Sequence, residues 1–226
     1  MTTHVLDRAI FHALTTRHSS IATGGARARR YHPEISPFAG TDDDSDESLA
    51  ALADLVPPDG TIVTARVGNQ PVPPGIVAAD IFPGVQMVAD ALREPENGIA
   101  FHELGDDDAP EMVALATLTR PGPFLARTNR FGGYIGIRHE GKLVAMAGQR
   151  LQVPGFTEVS AVCTHPDFRG RGYGSLLLLT VAARIKARGE TPFLHTFASN
   201  AGAIRLYEHL GFTHRSDISV TVLRRA

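Results

Sequence analysis

The 226-residue sequence contains one cysteine, no tryptophan, and two lysines among its 22 basic residues. The single cysteine, Cys163, excludes an internal disulfide and therefore a small secreted fold held together by such bridges. No apolar run reaches the roughly 18 residues that a membrane-spanning helix requires, since the run at 176–183 is interrupted by Thr180. The N-terminus lacks the basic start and apolar stretch of a signal peptide. We therefore expect a soluble, cytoplasmic protein.

The remaining composition is that of an ordinary globular protein. Hydrophobic residues make up 43% of the chain and charged residues 20%, and the formal net charge is −2. This charge balance argues against an extended surface for nucleic acid or for an anionic membrane. The arginines are dispersed, so their excess over lysine does not by itself indicate an acidic substrate. A chain of this length forms one large domain or two small ones and buries roughly 70% of its unfolded surface.

Two shifts in composition suggest how the chain is organised. The acidic run at 42–47 predicts an exposed loop that leads into a helix. The segment Glu-Pro-Glu-Asn-Gly at 94–98 predicts a linker or a tight turn. We therefore divide the chain into an N-terminal α/β lobe at 1–95, which shapes the substrate site or stabilises its neighbour, and a second domain at 96–226.

Both parts contain alternating strand-like and helix-like segments, and the pattern is clearer in the second. Strands are predicted where β-branched and aromatic residues fall between turn residues, and helices where capping residues open an apolar-periodic segment. We predict strands at 61–67, 76–82, 99–104, 133–138, 142–149, 156–164, 191–198 and 217–223, and helices at 5–14, 46–55 with Ser45 or Asp46 as its cap, 106–119, 173–188 and 201–210. The order of elements after residue 98 predicts an α/β (mixed α+β) fold, a mixed sheet flanked by helices.

The most informative segment joins the predicted strand at 156–164 to the helix at 173–188. It contains the run Arg169-Gly170-Arg171-Gly172-Tyr173-Gly174. Glycines let the backbone approach a ligand closely and adopt positive φ angles. Unpaired N–H groups at a helix start attract anions, and the two arginines add charge-assisted hydrogen bonds. We interpret residues 169–174 as a cradle for a pyrophosphate and call them the cradle.

Two common nucleotide sites do not fit the cradle. It lacks the Gly-Lys-Ser/Thr ending of an ATPase P-loop, so it has no lysine for a γ-phosphate and no hydroxyl for magnesium. Its glycines are spaced Gly-x-Gly-x-Gly rather than Gly-x-Gly-x-x-Gly. The order of strands and helices also differs from the repeated βαβ units of a dinucleotide fold.

Two motifs resemble those of the GNAT superfamily of N-acetyltransferases. The pattern Arg169-x-x-Gly172-x-Gly174, between a strand and a helix, resembles the acyl-CoA binding motif of that family. The run Asn200-Ala-Gly-Ala-Ile-Arg-Leu-Tyr207-Glu-His-Leu-Gly-Phe212 resembles its later helix, where an Asn and a Tyr face the cofactor. The resemblance covers about residues 98–226. It implies a GNAT-like mixed, mostly antiparallel sheet flanked by helices, preceded by a smaller lobe similar to the degenerate first half of some GNAT-like proteins.

The resemblance also implies an activity and a set of ligand contacts. The family transfers an acetyl group from acetyl-CoA, as co-substrate, directly to a primary amine of a small molecule or peptide. The strand before the cradle is expected to splay from its neighbour, so that its backbone pairs with the pantetheine arm and a main-chain N–H polarises the thioester carbonyl. The cofactor contacts implied are Ala161, Val162, Cys163, Thr164, Arg169, Gly170, Arg171, Gly172, Tyr173, Gly174, Ser175, Asn200, Ala203 and Tyr207.

Two residues are candidates for proton transfer. The resemblance implies a basic Glu at Glu158, four residues before Val162, and strand alternation predicts both side chains on one face. The alternatives are an ordinary surface or hairpin-paired carboxylate at Glu158 and a water relay as the base. Tyr207 is the implied general acid for the departing thiolate. Its alternative role is packing, because Ile204, Tyr207 and Leu210 share a helix face.

Other interpretations stay open. Asn200 contacts the cofactor, caps its helix, or does both. Cys163 and His165 suggest a thiol–imidazole pair, but no third orienting group is evident. The ten histidines show no metal-binding spacing, so we predict no metal. A catalytically idle acyl-CoA binding or sensing protein is the main alternative, and transfer to a hydroxyl or of a longer acyl chain is another. The expected partners are acetyl-CoA and an amine, not nucleic acid or membrane, in a monomer or homodimer.

Overall fold

The computed structural model describes residues 4–95 and 98–226. Glu96 and Asn97, which belong to the predicted linker, lie outside the described residues. The described chain forms a three-stranded sheet near its N-terminus and an eight-stranded sheet. Within 4–95 and 98–226, no helix combines the length and the apolar character needed to cross a membrane.

The elements follow the predicted order closely. In the described residues the helices are α1 (Ala9–Thr15), α2 (Asp46–Asp54), α3 (Ala109–Thr119), α4 (Tyr173–Ala187) and α5 (Ala201–Leu210). The strands are β1 (Ala22–Gly24), β2 (Ala28–Tyr31), β3 (Ala39–Thr41), β4 (Thr61–Val67), β5 (Ile76–Ala89), β6 (His102–Glu103), β7 (Ile135–His139), β8 (Lys142–Val153), β9 (Phe156–Thr164), β10 (Thr191–Phe197) and β11 (Phe212–Arg225). Short 3-10 turns occupy Val5–Arg8, Ser19–Ile21, Asp106–Asp108, Thr128–Phe131 and Pro166–Phe168.

The eight-stranded sheet has the order β4-β11-β5-β10-β9-β8-β7-β6. Neighbouring strands are antiparallel except β9 and β10, which run parallel. A parallel pair needs a crossover connection, and here α4 provides it. The predicted fold, a mixed and mostly antiparallel sheet flanked by helices, is confirmed.

Helices cover both faces of this sheet and enclose apolar clusters. On one face, α4 packs the leucines at 176–179 against β8 and β9, together with Phe212. On the other face, α1 and α3 contribute Leu14 and Met112, which pack in one cluster with Met146 of β8. The predicted core role of residues 176–179 is confirmed, since all four side chains are buried.

Two strands are longer than the sequence predicts. β5 continues through Pro83 and Gly84, which predict an end to the strand, and β11 begins at Phe212 rather than at 217. The two strands pair with each other over almost their whole length, with two shifts in register. Gly84 lies where a Cβ atom would come within 3.0 Å of the Ile218 side chain. Long-range pairing therefore overrides the local turn signal.

Local signals are accurate at a helix cap and a hairpin. The Ser45 hydroxyl accepts a hydrogen bond from a backbone N–H of α2 at 3.3 Å, so the predicted cap is confirmed. Glu140 and Gly141 close the hairpin between β7 and β8 with positive φ angles of 48° and 79°. The predicted strand at 99–104 is wrong in length, because only His102–Glu103 pair with β7.

The N-terminal segment forms part of the large sheet. β4 is an edge strand, and β5 lies between β10 and β11, which come from the C-terminal half of the chain. The side chains of Leu52 in α2, Ile62 in β4 and Leu223 in β11 share one apolar cluster. The division of the chain at residues 95 and 96 stays a prediction, but it does not coincide with a division of this sheet.

A chain that begins at residue 96 should not fold on its own. It would lose β4 and β5, and β10 and β11 would each have an unpaired edge inside the sheet. We expect no cooperative transition when its thermal unfolding is followed by circular dichroism. Residues 1–95 added as a separate polypeptide should restore a transition. A sharp transition of the truncated chain alone, near that of the full chain, would contradict this expectation.

Candidate active site

The cradle lies at the start of α4 and presents backbone donors. Gly170 and Gly172 have φ angles of 76° and 77°, and Gly172 is the N-cap of α4 without a side-chain cap. The Leu176 N–H donates to the Gly172 carbonyl at 3.0 Å. The N–H groups of residues 173–175 precede this bond, so they have no acceptor within the helix. With the positive end of the helix dipole behind them, they suit a phosphate or pyrophosphate.

Two arginines flank these donors. Arg169 and Arg171 are exposed, and the Arg171 guanidinium lies 4.9 Å from the centre of the Phe168 ring. Guanidinium groups in this position are suited to phosphate oxygens. Gly174 faces β9, and a Cβ atom there would lie 3.5 Å from Thr164 Oγ1. The helix start therefore comes close to the strand that precedes it.

β9 and β10 separate beside the cradle. They pair only from Phe156 opposite Thr191 to Glu158 opposite Phe193. Beyond that point β10 continues along β5, and β9 continues along β8. We call the resulting gap the wedge. The expected splay is confirmed, and the backbone of residues 159–164 has no partner among the described residues of β10, which suits the addition of an extended ligand segment.

A β-bulge at Ala161 shapes the wedge. Ala161 has a φ of 54°, which is uncommon for a residue with a side chain, and the register with β8 shifts between Cys163 and Ser160. The extra residue changes the alternation: Val162 packs in the cluster below α4, whereas Ala161 and Cys163 pack in the cluster with α1 and α3. The prediction that Glu158 and Val162 share a face is therefore wrong, because it assumed uninterrupted alternation.

α5 brings an amide and a phenol to the site. The Asn200 side-chain oxygen accepts a hydrogen bond from the Ala203 N–H at 3.2 Å, which confirms that Asn200 caps the helix. Tyr207 is half-buried and packs edge-on near Phe212. Burial raises the pKa of the Tyr207 phenol above its ordinary value, so the hydroxyl is protonated at neutral pH.

A cavity of about 310 Å³ adjoins the wedge. Val162, Asn200 and Tyr207 border it, so three of the residues predicted to contact the cofactor face the same space. His195 and Arg150 supply polar groups to its wall. The cavity thus joins the open edge of β9 to a pocket large enough for a small molecule.

Glu158 lies beneath this cavity rather than in it. Its side chain is 0% exposed, and its oxygens accept hydrogen bonds from Arg150 Nε and Nη2 at 2.9 and 2.6 Å. The Leu151 N–H at 3.2 Å and His195 Nδ1 at 2.8 Å are further partners. Burial alone would raise the pKa of Glu158, but the Arg150 charge and the bonds from Arg150 and His195 hold it well below its ordinary value. The carboxylate is therefore ionised at neutral pH.

His195 connects Glu158 to further buried polar groups. Its Nε2 lies 2.9 Å from Gln86 Nε2, and the Gln86 oxygen accepts from Arg215 Nη1 at 2.7 Å. Gln86 Nε2 also donates to the Leu6 carbonyl at 3.0 Å, so a reversed amide would oppose donors to donors and acceptors to acceptors. His195 Nε2 must accept from Gln86, and Nδ1 carries the proton that is donated to Glu158. The imidazole is thus held neutral in one tautomer.

The thiol–imidazole pair suggested by the sequence is not formed. Cys163 is buried, and burial raises the pKa of its thiol to about 11, which keeps it protonated. The His165 Nδ1 accepts a hydrogen bond from the Asp167 N–H at 3.3 Å and caps the turn before the cradle.

Sequence reasoning missed Arg150, His195 and Gln86. Each is a polar residue within a strand rich in apolar residues, in β8, β10 and β5 respectively. Because buried polar side chains need partners, such interruptions signal partners across neighbouring strands. The identity of those partners depends on strand order, which the local pattern does not contain.

Comparison with known proteins gives a consistent set of similarities. Residues 134–220 match the family model described as FR47-like protein. A crystal structure from Novosphingobium aromaticivorans DSM 12444, assigned to the GNAT family of acetyltransferases, is 39% identical with a TM-score of 0.92, over 99% of this chain and 100% of that chain. A GCN5-related N-acetyltransferase from Kribbella flavida shares the fold, with 18% identity and a TM-score of 0.65 over 99% of this chain and 96% of that chain.

Two curated relatives match shorter segments. The ribosomal protein bS18-alanine N-acetyltransferase of Salmonella typhimurium is 46% identical over 52 residues, which are 23% of this chain and 35% of that protein. The mycothiol acetyltransferase of Thermobispora bispora is 42% identical over 57 residues, which are 25% of this chain and 19% of that protein. The match therefore spans about a third or less of the length of these relatives.

Replacement of Glu158 by Gln should strongly destabilise the protein at neutral pH. The substitution leaves the Arg150 charge buried without its counter-ion, which typically costs about 3–5 kcal/mol. Because the pKa of Glu158 is lowered in the folded state, its contribution is complete above the ordinary glutamate pKa of about 4.3 and is lost as the pH falls below it. Urea unfolding at several pH values should show the difference between wild type and Glu158→Gln shrinking in acid.

The matched control is Glu103→Gln. Glu103 also accepts two hydrogen bonds from one arginine, Arg184, but it is 67% exposed. An exposed pair contributes about 1 kcal/mol or less, so this variant should differ little from wild type. Equal losses in the two variants would contradict the importance assigned to the buried pair.

Proposed function

Because the chain belongs to the GNAT family of acetyltransferases and is an acyltransferase, we propose that it transfers an acetyl group from acetyl-CoA directly to the primary amine of a small molecule or peptide. The observation that carries this proposal is the meeting of the cradle, the wedge and the cavity at one place. They offer, respectively, a site for a diphosphate, an open strand edge and a pocket for an acceptor. The proposal is argued from this site and not from the fold alone.

Acetyl-CoA lies along the wedge in this proposal, with its diphosphate in the cradle. The cradle, Ser175 and the guanidinium groups of Arg169 and Arg171 bind the diphosphate oxygens. The pantetheine arm adds to the free edge of β9 at 161–164 in the manner of an extra strand. Asn200 and Ala203 flank the arm from α5. The acetyl group then faces the cavity.

Transfer is a direct displacement at the thioester carbonyl. The amine nitrogen attacks the carbonyl carbon, a C–N bond forms, and the C–S bond breaks. A backbone N–H at the bulge of β9 donates to the oxygen on which negative charge develops; donors of this kind contribute about 3 kcal/mol. The Tyr207 hydroxyl donates its proton to the departing sulfur, so that CoA leaves as a thiol. The raised pKa of Tyr207 keeps this proton available at neutral pH.

The acceptor amine has to lose a proton, because an ammonium has no lone pair. Glu158 is a poor partner for it, since Arg150 and His195 occupy its oxygens and the side chain is fully buried. We therefore assign Glu158 a positioning role: it holds Arg150 and His195 at the cavity wall. The amine releases its proton to water, because a mostly apolar cavity with no carboxylate among its described lining residues disfavours an ammonium.

The names of the curated relatives refer to different acceptors, an alanine of a ribosomal protein and mycothiol. They therefore support acetyl transfer and not one acceptor. The identity of the acceptor has to come from the cavity of this chain.

Replacement of Tyr207 by Phe separates an enzyme from an idle acyl-CoA binding protein. Turnover, measured as release of free CoA thiol, should fall about 100-fold or more, because general acid catalysis is lost. The affinity for acetyl-CoA should change less than about twofold, since the ring stays in place. Tyr31→Phe is the control, because it removes a buried hydroxyl that bonds His18 away from the cavity. Equal turnover of Tyr207→Phe and wild type would favour the idle protein.

Calorimetry with acetyl-CoA tests the cradle directly. Wild type should bind acetyl-CoA, and Arg169→Ala should weaken binding about tenfold, because charge-assisted bonds to phosphate are lost. Arg27→Ala removes an equally exposed arginine from the loop between β1 and β2 and should leave the affinity unchanged. Absence of binding to wild type would remove the basis of the proposed function.

A further inference from the structure

The wall of the cavity away from the wedge is apolar. Ile10 and Phe38 come from the N-terminal segment, and Val63, Val220 and Val222 come from β4 and β11. These side chains offer no hydrogen bonds, so the part of an acceptor that lies against them has to be apolar. A cavity of about 310 Å³ is also at the small end of ligand sites, which argues for a small molecule rather than an extended peptide.

The charged groups of the cavity are all cationic. Arg120 and Arg150 line it, and no Asp or Glu does so in the part of the chain that the structure describes. An acceptor with a second positive charge, such as a polyamine, would meet two guanidinium groups and no counter-ion. An acceptor with a negative charge would meet complementary groups.

Arg150 has a free donor on the cavity side. Its Nε and Nη2 bind Glu158, which leaves Nη1 for another acceptor. Nη1 points toward the loop after α3: it lies 3.8 Å from where a Cβ atom would be at Gly122, and both residues line the cavity. Because the guanidinium is fixed by its bidentate pair, little side-chain freedom is lost when Nη1 binds a ligand.

Arg120 occupies a strained position at the cavity. It is the C-cap of α3 with φ 52° and ψ 55°, the left-handed conformation in which glycine is the usual residue. It is exposed, and it forms no ion pair within residues 4–95 and 98–226 that would offset the strain. Binding of an anionic group in the cavity gives this arginine a reason to be where glycine would be more stable.

We propose that the acceptor is a free hydrophobic amino acid, a small primary amine that carries both a carboxylate and an apolar side chain. Arg150 Nη1 and Arg120 bind the carboxylate, the apolar side chain lies against Ile10, Phe38 and the valines, and the amine faces the wedge. This inference rests on the proposed function, since it names the acceptor of the same transfer.

The first test compares acceptors that differ only in the carboxylate. Leucine, phenylalanine and tryptophan are paired with 3-methylbutylamine, phenethylamine and tryptamine, and release of CoA thiol is measured. We expect kcat/KM to be at least tenfold higher for at least one amino acid than for its decarboxylated partner, as for a charge-assisted contact. Phenylalaninamide, which keeps the amine but has no negative charge, should behave like phenethylamine.

The second test uses Arg120→Gly. Glycine suits the left-handed conformation, so thermal stability should be kept or raised. The preferred amino acid should show a KM about tenfold higher with kcat little changed, whereas its decarboxylated partner should be unaffected. Arg120→Lys, which keeps the charge, should recover part of the loss. Glu140→Gly is the matched control, because Glu140 has a φ of 48° in the β7–β8 hairpin and does not line the cavity.

Binding gives a readout that is independent of turnover. The chain has no tryptophan, so the indole fluorescence of tryptophan or tryptamine reports binding of that ligand to the protein saturated with CoA. Tighter binding of tryptophan than of tryptamine, lost in Arg120→Gly, supports the inference.

The outcomes distinguish this inference from the proposed function. If calorimetry detects no binding of acetyl-CoA, the proposed function fails. If acetyl-CoA binds, but the decarboxylated amines are used as well as the amino acids, or no amino acid is used, the acceptor assignment is overturned and the acetyl-CoA site stands. Retention of the full preference for the amino acid in Arg120→Gly would overturn the role of Arg120.

Discussion

The buried pair of Glu158 and Arg150 is the interaction on which the candidate site depends. Glu158 is the last residue of β9 that pairs with β10, and its carboxylate holds Arg150 of β8 and His195 of β10. The two strands are therefore fixed together at the point from which they separate. Buried charges are tolerated only when each has a partner, so the pair fixes the position of the opening as well as its walls. The bulge at Ala161 then directs the β9 backbone along that opening.

The cavity is built by both halves of the chain. Its polar end comes from β8 and β10 together with α5, and its apolar end comes from α1, β4 and β11. The N-terminal segment is thus a structural part of the site, because β5 supports β10 and β11 from between them. A site that combines a fixed polar floor with an apolar wall discriminates by charge at one end and by shape at the other.

Most elements could be predicted from the sequence, because their signals are local. β9 and α5 have the predicted bounds, and the cradle could be located from its glycines and arginines. The bulge, the inner part of β5 and the partners of Glu158 could not. Ala161 has no residue type that marks a bulge, Pro83 and Gly84 indicate a turn, and the Glu158 partners lie on strands that meet only in the folded sheet. What local patterns lack is strand order and register, and the proposed chemistry depends on both.

The place of β5 has a consequence for biosynthesis. The ribosome completes β5 about a hundred residues before β10 and still earlier relative to β11, yet these are the strands on either side of it. The nascent chain therefore carries an unsatisfied strand, with Ile81 and Phe82 among its side chains, until Phe212–Arg225 has emerged. Pairings so distant in the chain close slowly. The final stretch to leave the exit tunnel is thus the one that seals the middle of the molecule.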